Sequence, residues 1–345
     1  MARLRWLLFP FSALYGWMMR VRNRQFDSGK RAVVEFIPTI ISVGNLSMGG
    51  TGKTPMIEYL IRLLKDQVSL ATISRGYGRK TKGFILASDE DNARTIGDEP
   101  LQFYRKFKDD IYVTVCEERI LAVPEVLSDH EEVSLFLLDD AFQHRKIGRD
   151  LNILLTTFEE PFFRDHVVPL GRLREERQGA ARADLVVVTK CPGETGETER
   201  QWFRDEVRKY AGDKPVFFSH VAYGKPEHAL GPDTAWPAEV AVLSGIAKPD
   251  YFLKEVSTHA KTVHHFNYQD HYAFSAADLD KVLKTLNNLN NWVLVTTEKD
   301  MVRLLSFKDH PLFEKVSLFY VPIEFAMDQK EEFEAEVLKV VEKDL

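Results

Sequence analysis

Short apolar runs alternate with stretches of helical periodicity along most of the chain. Several of these runs are apolar throughout, as expected for the strands of a parallel sheet that is covered on both faces. The predicted strands are 37–44, 68–74, 111–116, 133–139, 151–158 and 184–190, and the predicted helices near them are 54–66, 98–107, 117–128 and 198–211. This alternation predicts an α/β fold built on a doubly wound parallel sheet.

A segment rich in Pro and Gly, residues 222–237, interrupts this pattern. Beyond it the apolar runs EVAVLSGI, NWVLVTTE and VSLFYVPI alternate with helices predicted near 249–258, 276–289 and 328–343. This is enough sequence for a second, smaller α/β lobe. We therefore predict an N-terminal segment over residues 1–30, a first lobe over 31–222, and a C-terminal lobe over 223–345 that closes an active-site cleft.

The N-terminal segment contains the one membrane-like stretch, WLLFPFSALYGWMM at residues 6–19. It is too short to cross a bilayer, which needs about 20 apolar residues, and no small-residue cleavage site follows it, so a signal peptide fits poorly. A helix here would place Phe11, Leu14, Tyr15 and Met18 on one face. That face and the flanking arginines are typical of a helix lying in the membrane interface on anionic lipid. The alternative is a helix that packs on the core while its arginines are solvated.

Charge is spread unevenly along the chain. The net charge is -6, yet residues 1–35 carry seven basic and two acidic residues, so this stretch is +5 and the remainder is -11. Basic character therefore belongs to the N-terminus alone, which argues against general nucleic-acid binding. Cys116 and Cys191 lie far apart without a C-x-x-C pattern. A disulfide framework is not indicated, and a reducing compartment fits.

The stretch ISVGNLSMGGTGKTPMIEYL, residues 41–60, has the strand, glycine-rich loop and helix of a P-loop. Lys53 would reach the β- and γ-phosphates, and Thr54 would supply a hydroxyl to Mg²⁺. Ser47 stands where the G-x-x-x-x-G-K-[ST] pattern has its first glycine. The first lobe is therefore predicted to be a P-loop NTPase-like nucleotide-binding lobe with a variant loop. Its predicted nucleotide-binding residues are Gly49, Gly50, Thr51, Gly52, Lys53 and Thr54.

A P-loop protein also needs an acid at the end of a neighbouring strand to hold Mg²⁺. The run VSLFLLDDAFQHR ends an apolar strand in Asp139 and Asp140. Two adjacent carboxylates at a strand end are costly unless a cation or hydrogen bonds compensate them. This predicts a metal site made by one or both of them together with Thr54. The alternative is a surface turn in which Asp140 caps a helix.

The sequence also bears on which nucleotide binds and on the class of protein. The run LVVVTK resembles the strand before a guanine-reading N-K-x-D, but it continues with Cys191 and Pro192, and the Asp that would read guanine is absent. This favours ATP over GTP. Within the fold, the alternatives to one specific kinase are another P-loop small-molecule kinase or an ATP-dependent ligase. A regulatory nucleotide switch is the alternative from another class.

A series of motifs makes the resemblance to one family specific. The motifs SVGNLSMGGTGKTP, SRGYGRK, GDEPLQF, LLDDAFQHR, PLGRLRE, VVVTK, SGIAKPDYF, DHYAFS and TTEKDMVRL occur in this order along nearly the whole chain. In them the chain resembles the tetraacyldisaccharide 4′-kinase family. The resemblance implies phosphorylation of the 4′-hydroxyl of the lipid A disaccharide 1-phosphate precursor, with ATP and Mg²⁺. It also implies a peripheral protein at the cytoplasmic face of the Gram-negative inner membrane, and we expect a monomer. The loop of this family ordinarily lacks the first glycine.

The resemblance also implies roles for individual residues. Asp98 of GDEP matches the family's catalytic carboxylate, and His271 of DHYAF matches the histidine that works with it. The P-loop lysine, Lys53, is the third expected catalytic residue. Residues expected near the substrate or the phosphates are Arg75, Tyr77, Glu99, His144, Arg174 and Glu175. Where the family usually has Pro after its arginine–glutamate pair, this chain has Glu176.

Each of these roles has a simpler alternative in the sequence. Asp98 is placed to be the N-cap of a helix, because it stands just before Glu-Pro. Polar neighbours surround His271, as in a turn, and His144 could be an ordinary loop histidine. Arg75 and Arg174 could be solvated surface arginines rather than phosphate ligands.

Overall fold

A computed structural model describes residues 6–193, 195–270, 272–289 and 292–342. The strands are β1 (Thr39–Asn45), β2 (Leu70–Ser74), β3 (Ile85–Leu86), β4 (Tyr112–Val115), β5 (Leu135–Asp139), β6 (Leu151–Thr157), β7 (Leu185–Thr189), β8 (Val216–Tyr223), β9 (Glu227–Leu230), β10 (Glu239–Ser244), β11 (Lys261–Asn267), β12 (Val293–Thr297), β13 (Ser317–Val321) and β14 (Ile323–Met327). The α-helices are α1 (Phe9–Asp27), α2 (Lys53–Leu64), α3 (Asp98–Phe107), α4 (Arg119–Asp129), α5 (Glu197–Ala211), α6 (Asp250–His259), α7 (Ala276–Leu289), α8 (Glu298–Leu304), α9 (Leu312–Lys315) and α10 (Lys330–Val341). Short 3₁₀ turns lie at Trp6–Leu8, Phe162–Arg164, Arg177–Arg182 and Leu305–Phe307.

Nine strands form the larger sheet, in the order β14-β8-β7-β6-β1-β5-β2-β4-β3. The strands from β8 to β4 pair in parallel, and β14 and β3 pair antiparallel at the two edges. All seven residues of β1 are buried, because this central strand is covered on both faces. The predicted doubly wound parallel sheet is confirmed, and all six strands predicted before residue 191 lie in it.

The second sheet has five strands in the order β11-β10-β12-β13-β9. The first four of these pair in parallel, and β9 is antiparallel to β13. The apolar sides of α7 and α9 cover one face, where Leu279, Leu286 and Leu312 share a core with Leu243 and Leu294. The predicted smaller α/β lobe is therefore present.

The chain returns to the larger sheet at its end. The predicted strand VSLFYVPI is two strands, because Pro322 has no N–H to continue the ladder, and β14 leaves the second sheet to pair with β8. Helix α10 follows it, and Phe333, Val337 and Val341 lie in the core of the first lobe. The division at residue 222 stays a prediction about domains, but residues 323–341 are built onto the first lobe.

Helix α1 is longer than the apolar stretch that predicted it and is attached by polar contacts. Ser12 and Gly16 are buried, the Ser12 hydroxyl donates to the Val167 carbonyl at 2.6 Å, and the Tyr15 hydroxyl donates to the Arg174 carbonyl at 3.1 Å. Tyr15 thus points to the protein rather than joining the predicted outer face. That face is formed by exposed apolar residues, namely Leu7, Leu8, Phe9, Phe11, Leu14, Trp17 and Met18. In the described ranges, no helix has both the length and the apolar character needed to cross a membrane.

Both cysteines are buried and neither is in a disulfide. Burial raises the pKa of the Cys116 thiol, and it raises the pKa of the Cys191 thiol to about 12. Both thiols are therefore protonated and unreactive at neutral pH.

Candidate active site

The loop between β1 and α2 has the backbone of a phosphate-binding loop. Gly49 and Gly52 have φ of 114° and 86°, values that only glycine adopts without strain, and α2 begins directly after Gly52. Ser47 does not need such a value, because it forms a β-bridge with Leu173. The Met48 N–H donates to the Arg172 carbonyl beside this bridge at 2.7 Å. A pairing with the 172–174 segment therefore replaces the first glycine of the common pattern.

Side chains from the neighbouring strands hold the rest of the loop. The Asn45 amide donates to the Thr51 hydroxyl at 2.8 Å, and the Thr189 hydroxyl donates to the Thr51 carbonyl at 2.9 Å. The Lys190 ammonium donates to the Gly50 carbonyl at 2.7 Å from a residue with a φ of 57°. A left-handed backbone at a lysine carries a strain of about 1–2 kcal/mol, and here it aims the ammonium at the loop.

The two acids lie across from the P-loop lysine. Strands β1 and β5 are parallel neighbours with Val43 opposite Asp139, so the loop and the acids both follow the carboxyl ends of these strands. The Lys53 ammonium lies 3.5 Å from Asp140 Oδ1, and Arg174 Nη1 donates to the same oxygen at 2.7 Å. Asp140 has a φ of 47° and no helix starts at it, so the alternative of a helix cap is wrong.

The two carboxylates differ in their electrostatics. Burial raises the pKa of Asp139 to about 6, helped by the negative charges of Asp140 and Glu99, and its hydrogen-bond donor is the neutral Ser74 hydroxyl at 3.2 Å. Burial acts in the same direction on Asp140, but the cations Lys53 and Arg174 outweigh it and lower its pKa. Asp139 is thus a buried carboxylate without a direct cationic partner among the residues described.

This donor set fits a divalent cation that is shared with a phosphate. An oxygen-only set of Asp139, Asp140 and the Thr54 hydroxyl is the kind that Mg²⁺ prefers. In the described part of the chain, no cluster of three or more His, Cys, Asp or Glu could hold a metal without further ligands. Mg²⁺ in P-loop sites is completed by nucleotide oxygens and water, so a sparse protein set is what such a site requires.

Asp98 is the first residue of α3, but it is not the cap of that helix. Gly97, with a φ of 95°, takes the N-cap position, and no side-chain cap is formed there. The Asp98 carboxylate is instead bound by Arg303 of α8, at 2.6 and 2.8 Å. The alternative of an N-cap aspartate is therefore wrong. His271, the predicted partner of Asp98, lies outside the described residues.

The predicted substrate residues divide into accessible and buried groups. Arg75 and Tyr77 are exposed on the loop after β2, and Glu99 and His144 are half-buried. Burial, aided by Arg119 and Arg149, lowers the pKa of His144 to about 4, so its imidazole is neutral at physiological pH.

Glu175 is almost fully buried and lies under the site. It accepts from Arg182 at 2.7 Å, from Gln143 at 3.0 Å and from Asn23 of α1 at 2.7 Å. Its neighbour Arg174 reaches the Asp140 carboxylate, as described above. The structure thus places Arg174 at the acids and Glu175 in the support behind them.

Arg119 is a site residue that the sequence did not indicate. It is only 5% exposed at the start of α4, and its Nη2 donates to the Asp140 carbonyl at 3.1 Å. A cation there fixes the turn that carries Asp140. In the sequence it stands in the mixed-charge run Glu117-Glu118-Arg119, which reads as an exposed helix start, so no local signal could have found it.

Comparisons with known proteins point to one family. The family model for tetraacyldisaccharide-1-P 4′-kinase, LpxK, matches residues 4–342. The tetraacyldisaccharide 4′-kinase of Flavobacterium johnsoniae is 40% identical over 99% of this chain and 98% of its own length. That of Bacteroides fragilis is 39% identical over 95% of this chain and 90% of its own length. The solved structure of LpxK from Aquifex aeolicus in complex with ATP superposes with a TM-score of 0.77 at 28% identity, covering 98% of this chain and 99% of that one.

Proposed function

The chain belongs to the tetraacyldisaccharide-1-P 4′-kinase family, and from this premise we propose that it transfers the γ-phosphoryl group of ATP to the 4′-hydroxyl of the lipid A disaccharide 1-phosphate precursor. One observation carries the proposal. The P-loop lysine Lys53 lies 3.5 Å from Asp140 at the sheet edge where a strand, a glycine loop and a helix meet.

The nucleotide is held by the loop and the residues directly after it. The backbone N–H groups of residues 49–54 surround the phosphates at the N-terminus of α2, and Lys53 contacts the β- and γ-phosphates. Thr54, Asp139 and Asp140 would hold Mg²⁺, which when bound would neutralise negative charge on the phosphates. The Arg174 guanidinium, already at Asp140, adds positive charge beside the transferred group.

Asp98 serves the acceptor hydroxyl. Its carboxylate accepts the 4′-hydroxyl proton while the new O–P bond forms and the bond to ADP breaks, and His271 assists it as its family counterpart does. Asp98 lies where α3 of the first lobe meets α8 of the second, so an acceptor in the cleft between the lobes could reach it. Arg75 and Tyr77, which are exposed, and Glu99 and His144, which are half-buried, contact the substrate.

We place the protein at the cytoplasmic face of the bacterial inner membrane as a monomer, with α1 in the interface. The support is the exposed apolar face of α1, on which Phe11 is 64% and Trp17 is 57% exposed. Arg20 of the same helix pairs with Glu176, which stands where the family usually has Pro, so this chain fixes the helix beside the site. Acyl chains of the substrate can then stay in the bilayer while its sugar enters the cleft.

The membrane part is tested by co-sedimentation with anionic phospholipid vesicles. The double variant Phe11→Glu/Trp17→Glu is expected to reduce bound protein about tenfold or more, since burying two apolar side chains in the membrane interface contributes several kcal/mol. Leu121→Glu, at an exposed apolar residue of α4, is the matched control and is expected to bind like the wild type. Equal binding by the double variant would contradict the interfacial role, and size-exclusion chromatography tests the monomer.

The activity itself is tested with labelled ATP and 1-phosphorylated lipid disaccharide in mixed micelles. We expect a bisphosphorylated product with the wild type and a loss of at least about a hundredfold with Lys53→Met or Asp98→Ala. Asp98→Ala should still bind ATP, whereas Lys53→Met should bind it weakly. Absence of product across acyl variants of the substrate would overturn the proposal.

A further inference from the structure

Helices α3 and α8 meet at an interface between the two lobes. Its centre is apolar, where Leu101 of α3 and Val302 of α8 are fully buried in one cluster with Ile96 and Val115. An ion pair closes each end: Lys106 with Glu298 at one end, and Asp98 with Arg303 at the other. The first and last turns of α3 are therefore both fixed by α8.

The Arg303 guanidinium is immobilised on both sides. Its Nε and Nη2 donate to Asp98 Oδ2 at 2.8 and 2.6 Å, and its Nη1 donates to Asp300 Oδ1 at 3.0 Å. Only 8% of the arginine side chain is exposed. Arginine presents its donors in one rigid plane, so the orientation set by Asp300 is transmitted to Asp98.

Asp300 is in turn attached to the second sheet. It is completely buried, and its Oδ2 accepts from the Gly245 N–H and from the Thr297 hydroxyl, both at 2.8 Å. Gly245 directly follows β10, and Thr297 ends β12, so two parallel strands fix this carboxylate at their carboxyl ends. A continuous row of hydrogen bonds therefore runs from the second sheet through Asp300 and Arg303 to Asp98.

We propose that Arg303 is a positioning residue for the transfer reaction, by which the second lobe sets the orientation of the Asp98 carboxylate. This rests on the role proposed above for Asp98. Two donors to one carboxylate oxygen fix the orientation of the group. Asp98 itself sits on the first lobe, so its reactive geometry is complete only while α8 is docked on α3.

A structural role alone would make the two ends of the interface equivalent. Glu298 and Arg303 both join α8 to α3, but Glu298 pairs with Lys106, whereas Arg303 pairs with Asp98. Glu298→Gln is therefore a matched control: it weakens the same interface and leaves the Asp98 contact in place. The apolar centre made by Leu101 and Val302 is unchanged in either variant.

The experiment measures kcat and the KM for ATP of the full chain, with 1-phosphorylated lipid disaccharide in mixed micelles, beside melting temperatures. Arg303→Met is expected to lower kcat at least about tenfold with the KM for ATP changed less than threefold, because the base is misplaced while the nucleotide site is intact. Arg303→Lys is expected to recover part of kcat, since it restores the charge but not the planar fork. Glu298→Gln is expected to keep kcat within about threefold, because it leaves the contact between Arg303 and Asp98 in place.

Three results would overturn the role of Arg303: a wild-type kcat in Arg303→Met, a loss in Glu298→Gln as large as in Arg303→Met, or a loss that appears in the KM for ATP alone. If Arg303→Met does not fold, Arg303→Lys decides, and a wild-type kcat in it overturns the role. Asp98→Asn separates this inference from its premise. Wild-type turnover in Asp98→Asn would overturn the role of Asp98 itself, whereas an inactive Asp98→Asn beside a fully active Arg303→Met would overturn the role of Arg303 alone.

Discussion

Helix α10 ties the end of the chain to the phosphate site, and Phe333 is the residue through which this can be tested. Its ring is fully buried and packs edge-on against Tyr59 and Phe217, with centroids 5.8 and 5.3 Å away. Tyr59 lies on α2, the helix that follows the phosphate loop, and its hydroxyl donates to Glu334 at 2.7 Å. Phe333→Ala therefore removes the side chain that packs α10 on both α2 and the larger sheet.

The expected destabilisation is large. Truncating a buried phenylalanine costs about 3–5 kcal/mol, to which each edge-to-face ring pair contributes about 0.5–1.5 kcal/mol. In a domain of about 200 residues each kcal/mol lowers the melting temperature by about 2–4 °C. We therefore expect a fall of about 6–20 °C for the first lobe.

The assay is thermal unfolding combined with hydrogen exchange measured by peptide. Phe333→Ala should speed exchange in α2 and β8 and leave β10 and β12 as in the wild type. Phe252→Ala, at a residue equally buried in the second-lobe core, is the matched control and should do the reverse. A melting temperature within about 3 °C of the wild type, or faster exchange confined to the second sheet, would refute the assignment of α10 to the first lobe.

Three further predictions concern the phosphate site. The pKa of Asp139 is raised to about 6 from 3.8, so the folded state binds this proton more tightly than the unfolded state and stability falls as pH rises between about 4 and 6. Asp139→Asn should therefore stabilise the nucleotide-free protein by up to about 3 kcal/mol at pH 7.5 but little at pH 4. Equal gains in melting temperature at both pH values would contradict this. Ser47→Gly restores the common loop pattern, but Ser47 pairs with Leu173 in a β-bridge, so its backbone carries no strain that glycine would relieve. Calorimetry should find ATP affinity within about twofold of the wild type and stability about 0.5–1 kcal/mol lower. Tighter ATP binding would contradict this account of the loop. Lys190→Met removes the donor to the Gly50 carbonyl and should raise the KM for ATP about tenfold while kcat stays within about threefold of the wild type. An unchanged KM in steady-state kinetics would show that Lys190 does not support the loop.

The parts of the fold that were predictable are those with a continuous local signal. Strands such as β5 and β7 are apolar up to their last residue, and the glycine loop follows a strand and precedes a helix, so their positions could be taken from sequence alone. Strand β11 could not, because its sequence KTVHHFN interleaves polar residues on a half-exposed edge of the second sheet. The run 316–323 is predicted as one strand. Pro322 marks a break in its hydrogen-bond ladder, but nothing local indicates that the chain moves to the other sheet there.

The site divides in the same way. Lys53, Asp139 and Asp140 have motif signals, and the family resemblance supplied Asp98 and Arg174. Arg119 lies in none of these motifs, and Arg303 belongs to TTEKDMVRL without that motif assigning it a role. Their roles depend on contacts with Asp140 and with Asp98, which is 205 positions from Arg303 along the chain. Such contacts are set by tertiary packing, within the first lobe for Arg119 and between the lobes for Arg303, and no sequence spacing predicts them. For Glu175 the motif predicts a position near the substrate or the phosphates, but its carboxylate is buried behind the site.

The two buried cysteines make the natural sequence a ready background for site-specific labelling. Cys116 and Cys191 are only 3% and 7% exposed, and burial holds both thiols in the protonated form that does not react with maleimides or haloacetamides. A single cysteine introduced at exposed Trp17 or Tyr251 could therefore carry a fluorophore or spin label without first replacing the native cysteines. Labels at these two positions would report the immersion of α1 in lipid and the approach of the second lobe to the first, in an otherwise unaltered enzyme.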